Sequence, residues 1–355
     1  MKPRARLWMT LLSPLFGLLL VEGAVRALAL EPAPLPRSDG ILFRLSRNRT
    51  LTFENRPGAV RRTEYFDNTT SAPRVVEQRV NALGFRGPEV ARTEPRGTYR
   101  IACLGDSHTF GAGVAGTETW PAHLQRILDR EFGHGRVEVM NCGVSAYDTH
   151  REVVFLRERV LAFEPDLVLL QYHVNDVHGR DVFGLKRPAD DPLLRWSHPR
   201  RAGWIGRLRS ASRLAELSLD RLYRYRGVRV EAGLSLVGYA ESSPGWIEVR
   251  ESLTSARDLL AGEGIDFAVL LFPFLLRHGE QLSSHEAFER VSTFCREAGI
   301  PCLDAERAFL PLDVEELRVH AHDYHADGRA HRIFAEAVYD WLSENGPGSL
   351  VSRLR

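Results

Sequence analysis

From Arg100 onwards, short apolar runs alternate with segments of helical period. The runs Ile101–Leu104, Val137–Met140, Leu167–Gln171, Phe267–Phe272 and Cys302–Leu303 predict strands. Helical patterns lie between them, over Trp120–Phe132, His150–Ala162, Ile247–Ala261 and Glu286–Ala298, and a last helix is predicted over Gly328–Glu344. Leu167-Val-Leu-Leu170 and Phe267-Ala-Val-Leu-Leu-Phe272 are almost continuously apolar, which fits strands buried on both faces. This alternation predicts an α/β fold: a mainly parallel sheet with helices on both faces.

Two regions break the rhythm. Residues 178–245 form a connection far longer than a usual strand-to-helix loop. The segment is rich in arginine and holds one helical stretch, Leu208–Tyr225, with a stripe of leucines at 208, 214, 217, 219 and 222. A helix packed on the domain with a solvated basic face is the simpler reading, and a lid over the site is the other. Residues 31–97 open with a stiff Pro-rich linker, Glu31–Pro36, and then alternate weakly, which predicts short strands in a β-rich lead-in. Asn48-Arg-Thr50 and Asn68-Thr-Thr70 match the glycosylation triplet, a pattern common by chance. The main domain is expected over 98–346.

At the amino terminus, Lys2, Arg4 and Arg6 precede the apolar run Leu7–Val21. That run alone suits a signal peptide. Apolar character resumes after Glu22, through Ala24, Val25 and Ala27 to Leu30, and the whole stretch is long enough to span a bilayer. Glu22 and Arg26 are four apart and can pair on one helix face. An uncleaved signal anchor over residues 1–30 is preferred to a cleaved signal peptide. The basic flank places the rest of the chain outside the cytoplasm, periplasmic or extracellular.

Composition is that of an ordinary globular protein, with 44% hydrophobic and 26% charged residues and a formal net charge of +1, so nothing global argues for nucleic acid. Cys103, Cys142, Cys295 and Cys302 have no metal-ligand spacing. Either Cys103 with Cys142 or Cys295 with Cys302 suits a disulfide in an exported protein, and buried free thiols fit equally well. No metal or cofactor is predicted.

The chemistry centres on Arg100-Ile-Ala-Cys-Leu-Gly-Asp-Ser-His-Thr-Phe-Gly-Ala-Gly-Val114. An apolar strand ends abruptly in Gly105-Asp106-Ser107 and gives way to helix, which puts Ser107 at the carboxyl end of a sheet strand, where open α/β sheets bind ligands. Three further clusters follow: Met140-Asn-Cys-Gly-Val-Ser-Ala-Tyr147, Gln171-Tyr-His-Val-Asn-Asp176 and His322-Asp-Tyr-His-Ala-Asp-Gly-Arg-Ala-His331. In this order the four resemble the blocks of the SGNH (GDSL-type) hydrolase superfamily, over about two-thirds of the chain. Asn81-Ala-Leu-Gly-Phe-Arg-Gly87 resembles the run-in of its membrane-anchored members.

The resemblance implies a three-layer, flavodoxin-like fold and a serine hydrolase. It implies Ser107 as nucleophile and His325 as base. The usual Asp-x-x-His spacing would place the acid at His322, so Asp323 takes that role, with Asp327 as fallback although it reads as a helix N-cap. Ser107 N–H, Gly143 N–H and the Asn175 side chain would form the oxyanion hole. His173 stands where the family has glycine, and with Asp106 and His108 it is a candidate for lining the substrate pocket. His322 and His331 are assigned supporting or surface roles. The expected activity is hydrolysis of short-chain, acetyl-type esters of carbohydrates, with a glycan or lipid ester as partner. Polysaccharide O-acetyl transfer, lipid ester hydrolysis and a non-enzymatic binding role are the alternatives.

Overall fold

The computed structural model describes residues 3–28, 37–39, 41–65, 74–93, 97–178, 211–215, 217–218, 238–320 and 323–347. The Glu31–Pro36 linker, Asn68, His322 and most of the 178–245 insertion lie outside them. The chain divides into two compact units: Met1–Pro34 with Phe183–Glu231, and Leu35–Val182 with Ala232–Arg355.

In the first unit, α1 runs over Pro3–Ala27. Glu22 pairs with Arg26 at 2.6 Å, as their spacing predicts. The same carboxylate accepts hydrogen bonds from the Arg213 and Leu214 N–H groups (2.9 and 2.8 Å) and the Ser212 hydroxyl (2.8 Å). Positions 211, 213–215 and 217–218 are helical, and the rest of the helix expected over Leu208–Tyr225 lies outside the described residues. Among the described residues no helix is long and apolar enough to cross a membrane, so the spanning anchor expected over Leu7–Leu30 is not confirmed.

The second unit opens with five short strands. They are β1 (Arg37–Asp39), β2 (Phe43–Leu45), β3 (Phe53–Asn55), β4 (Val60–Tyr65) and β5 (Arg74–Arg79). The first, fourth and fifth form one antiparallel sheet, and β2 pairs with β3.

The central sheet has five strands: β6 (Tyr99–Leu104), β7 (Val137–Asn141), β8 (Leu167–Tyr172), β9 (Asp266–Leu271) and, after a small hairpin of β10 (Arg277–His278) and β11 (Gln281–Leu282), β12 (Cys302–Asp304). All pairings are parallel and the spatial order is β7-β6-β8-β9-β12, the flavodoxin-like order. Alternate residues of β6 serve two separate cores. Ile101 and Cys103 face one, with Trp120, Leu124, Phe334 and Val338. Ala102 and Leu104 face the other, with Val153, Leu253 and Phe288.

Those core residues belong to the flanking helices. The short α2 (Ser107–Phe110) leads to α3 (Trp120–Phe132), whose Thr119 cap accepts from Ala122 N–H and whose first turn carries Pro121. α4 (Thr149–Phe155) follows, then α5 (Pro244–Glu263), α6 (His285–Glu297), the short α7 (Glu306–Phe309) and α8 (Gly328–Glu344). Most expected boundaries move by a residue or more, as three cases show. The helix expected over His150–Ala162 is an α-helix only to Phe155, then a π turn over Leu156–Val160 and a 3-10 turn over Leu161–Phe163. α5 starts earlier than its apolar period, because Pro244 is preset for a first helical turn. The fourth strand closes at Leu271, one residue before Phe272. All four cysteines carry free thiols.

Candidate active site

β6 and β8 are neighbours, and the strand order reverses between them. Ligands of such sheets sit outside the carboxyl ends of the strands at this switch point. Ser107 follows β6 and Asn175 follows β8. Gly105 makes the turn sharp enough: its φ is +150°, and a Cβ there would fall 2.2 Å from Thr109 Oγ1 and 2.7 Å from Gln171 Oε1. Thr109 Oγ1 is the hub of this turn, within hydrogen-bond distance of Leu104 O (3.2 Å) and Gln171 Oε1 (2.9 Å) and accepting from Trp120 Nε1 (3.2 Å). Asp106 caps α2 by accepting from His108 N–H at 2.8 Å. Ser107 is the first residue of α2, where an N–H has no helical partner.

The far end of the chain brings His325 to Ser107. Strands β13 (Arg318–His320) and β14 (Asp323–Ala326) form an antiparallel hairpin. On a strand, residues two apart share a face, so Asp323 and His325 project together. His325 Nδ1 lies 2.5 Å from Asp323 Oδ1, and His325 Nε2 lies 2.8 Å from Ser107 Oγ. Asp323 also accepts from the His325 N–H at 3.1 Å. Burial pushes the Asp323 carboxyl up, but the charge and hydrogen bonds of His325 outweigh it and hold the group at about 2. Asp327 caps α8, accepting from Ala330 N–H at 2.9 Å. His331 is buried and accepts from Trp120 N–H through Nδ1 at 3.2 Å, which ties α8 to the start of α3.

The Gly143 N–H donates to Asn141 Oδ1 at 3.1 Å. The glycine is required for packing: a Cβ would lie 2.3 Å from Phe110 N and 2.7 Å from Thr109 C, both backbone atoms. Asn141 completes the tie by donating to Thr109 O at 2.7 Å. The second block therefore fastens the end of β7 to α2.

His173, Asp106 and His108 are 4, 1 and 5% exposed, so they lie beneath the site rather than in an open pocket. The rings of His108 and His173 stack at 4.2 Å with planes 20° apart, and His108 sits 5.3 Å from the His325 ring. Phe272 and Phe274 flank the pair, at 5.1 Å from His108 and 5.8 Å from His173. Burial, then the charge of His108, pushes His173 down to about 3, which leaves it neutral at pH 7. The histidine replacing the family glycine still allows the turn, since His173 O accepts from Asp176 N–H at 3.0 Å. Asn175 in that turn is half-buried.

Other contributors were not visible in the sequence pattern. The lead-in braces both active turns: Asn55 Nδ2 donates to Gly143 O (3.0 Å), Gln78 Nε2 to Gly111 O (3.2 Å) and Arg86 to Val114 O (2.8 Å). Arg86 comes from the Asn81–Gly87 run-in, whose Asn81 Oδ1 accepts from Leu83 and Phe85 N–H groups. Glu152 and Asp176 form a buried carboxyl pair. Burial raises both well above the usual carboxylate range, with Asp106 nearby adding to it.

Comparison with known proteins adds the family. The model of the GDSL-like lipase/acylhydrolase family matches residues 103–333, which include Ser107, Gly143, Asn175, Asp323 and His325. No curated protein matches the chain. Among solved structures, a catalytic mutant of an acetylxylan esterase from Geobacillus stearothermophilus is 18% identical, over 70% of this chain and 95% of its own, with a TM-score of 0.41. Another acetyl xylan esterase is 12% identical over 68% and 98%, with a TM-score of 0.42. A two-domain esterase active on acetylated mannans is 13% identical over 72% and 54%, with a TM-score of 0.43. With its family model matched over most of the length, and a five-stranded parallel sheet at its centre, this chain belongs to the GDSL-like lipase/acylhydrolase family of SGNH hydrolases.

Proposed function

We propose that the chain is a serine ester hydrolase that works through an acyl-enzyme on Ser107, with short acyl esters of carbohydrates as substrates. The observation that carries this is the line Asp323 Oδ1, His325 Nδ1, His325 Nε2, Ser107 Oγ, with links of 2.5 and 2.8 Å. A neutral hydroxyl is a poor nucleophile, and His325 is placed to take its proton. Asp323 fixes the imidazole so that Nε2 faces the serine, and its charge favours the imidazolium that forms. Ser107 Oγ then bonds to the ester carbonyl carbon. Ser107 N–H and the Asn175 side chain are the donors for the oxyanion; Gly143 N–H, bonded to Asn141, is left out of that role. The imidazolium returns its proton to the departing alcohol, and water releases the acid by the same steps in reverse order.

Two observations support a short acyl group on a large alcohol. The rings of His108, His173, Phe272 and Phe274 are buried and in contact, so that side of the site is filled with side chains. The His325 side chain is one-third exposed, so the alcohol side opens to solvent and suits a large leaving group such as a sugar. The basic and then apolar segment Lys2–Val21 supports a place outside the cytoplasm for the catalytic domain.

The test is acetate release from acetylated xylan and from p-nitrophenyl acetate by the full chain, with Ser107→Ala as control. Turnover is expected for the wild type and none for the variant. A folded wild type that neither turns over an ester nor is labelled at Ser107 by a fluorophosphonate would overturn the proposal.

A further inference from the structure

Where the family has glycine, this chain carries a buried ring. His173 is held between two neighbours: it stacks on His108, with ring centres 4.2 Å apart and planes at 20°, and meets Phe274 edge-on at 5.8 Å. His108 is held in turn by Asp106, whose carboxylate accepts the His108 N–H at 2.8 Å and lies 3.4 Å from ring Nδ1. Close packing of this kind leaves the His173 ring little freedom to turn.

Two residues on, Asn175 sits in the same turn. The Asp176 N–H closes that turn by donating to His173 O at 3.0 Å, and the half-buried Asn175 side chain comes within hydrogen-bond reach of the His173 ring. The sense of this bond follows from its effect. Burial and the charge of His108 keep the ring neutral at pH 7, whereas the bond to Asn175 favours the protonated ring. A contact that favours the proton is one in which the ring N–H donates, so Asn175 Oδ1 accepts. An asparagine amide carries an acceptor on one side and two donors on the other. With Oδ1 turned to His173, Nδ2 is left for the oxyanion. The opposite flip would offer oxygen to a developing negative charge.

We infer that His173 is a positioning residue, whose ring N–H fixes the Asn175 amide so that Nδ2, and not Oδ1, meets the oxyanion formed at Ser107. The inference rests on the ester hydrolase reading above. It also gives the buried series Asp106, His108 and His173 a common task. Each member holds the next, from the turn after β6 to the turn after β8, and the last holds an oxyanion donor.

The test is a double-mutant cycle in the full chain, read by kcat and KM for p-nitrophenyl acetate. His173→Phe keeps a ring in the stack and removes the N–H. Asn175→Ala removes the donor itself, a change that typically costs about a hundredfold or more in kcat. His173→Phe is expected to lower kcat about tenfold or more with KM nearly unchanged, because the oxyanion forms only in the transition state. In the Asn175→Ala background the same substitution should cost less than about twofold. Equal losses in the two backgrounds would mean that His173 supports the fold alone, and would overturn the inference. A second measurement needs no turnover and decides the matter should His173→Phe fail to fold. In protein carrying isotope-labelled histidine, the proton resonance of the His173 ring N–H is expected to move on Asn175→Ala; a resonance that stays in place overturns the inference. A wild type that shows this shift but hydrolyses no ester would keep the His173–Asn175 bond and overturn the hydrolase reading instead.

Discussion

Gly143→Ala separates two accounts of the second sequence block. Were the Gly143 N–H an oxyanion donor, alanine would keep that N–H and cost little. In the structure the N–H is already given to Asn141 Oδ1, and an added Cβ would fall 2.3 Å from Phe110 N. Contact at roughly 3.5 Å is the comfortable limit, so α2 must retreat by about 1 Å. Overpacking of this kind costs about 1–3 kcal/mol. In a domain of this size that lowers Tm by roughly 2–12 °C. Because Ser107 opens α2, the same shift moves Oγ away from His325 Nε2, now 2.8 Å distant. Misplacement by about 1 Å can cost a hundredfold in rate. The assay is thermal unfolding beside kcat for p-nitrophenyl acetate, and both should fall. A variant that keeps Tm within about 1 °C and kcat within about twofold would refute the steric account.

Asp323→Asn removes the acceptor at His325 Nδ1 and is expected to lower kcat roughly 10⁴-fold; a loss below tenfold would leave Asp323 without its role. The Asp323 carboxyl is held at about 2 against an ordinary 3.8, so its stabilisation is full above pH 3.8 and is lost as pH falls through 2, about 2 kcal/mol in all. Denaturant midpoints between pH 4 and 2 should show that loss in wild type and a smaller one in Asp323→Asn. Glu152 has the opposite sign. Its folded carboxyl is raised by burial and by Asp176, Asp106 and Asp148, so the buried acid favours folding only at low pH and weakens it as pH rises. Glu152→Gln should raise Tm by roughly 2–4 °C at pH 8 and by less at pH 4; a larger gain at pH 4 would contradict the assignment. Arg86→Lys cannot reproduce the fork that reaches Val114 O and lies 5.0 Å over Phe110, so the urea midpoint should fall by an equivalent of about 1–3 kcal/mol. An unchanged midpoint would show that Arg86 braces nothing.

The central sheet was legible because its strands are buried on both faces. A run such as Leu167–Leu170 has no polar interruption, and α3 and α8 begin and end where their periods and caps say. The contact between Asp323 and His325 has a reason that local structure supplies. Asp-x-His fails the usual spacing, yet on a strand two residues apart is the same face, so Asp323 reaches His325. What stayed hidden depends on contacts across the fold. Nothing near Gly143 announces that Phe110 will press against it, and nothing near His108 announces His173. Asn55, Gln78 and Arg86 follow no period at all, because they reach across to backbone carbonyls of the turns and not to a partner along their own strands.

Glu22 offers a practical consequence for protein production. Trimming such a chain ahead of its main domain is a routine way to obtain soluble material. Here the trim would delete the acceptor for two main-chain N–H groups and one hydroxyl at Ser212, Arg213 and Leu214. Those N–H groups would then lose the side-chain acceptor that caps them. A shortened protein would therefore begin with a frayed insertion, open to proteases near Ser212. Co-expressing residues 1–34 as a separate peptide, or trimming the insertion as well, would restore the balance.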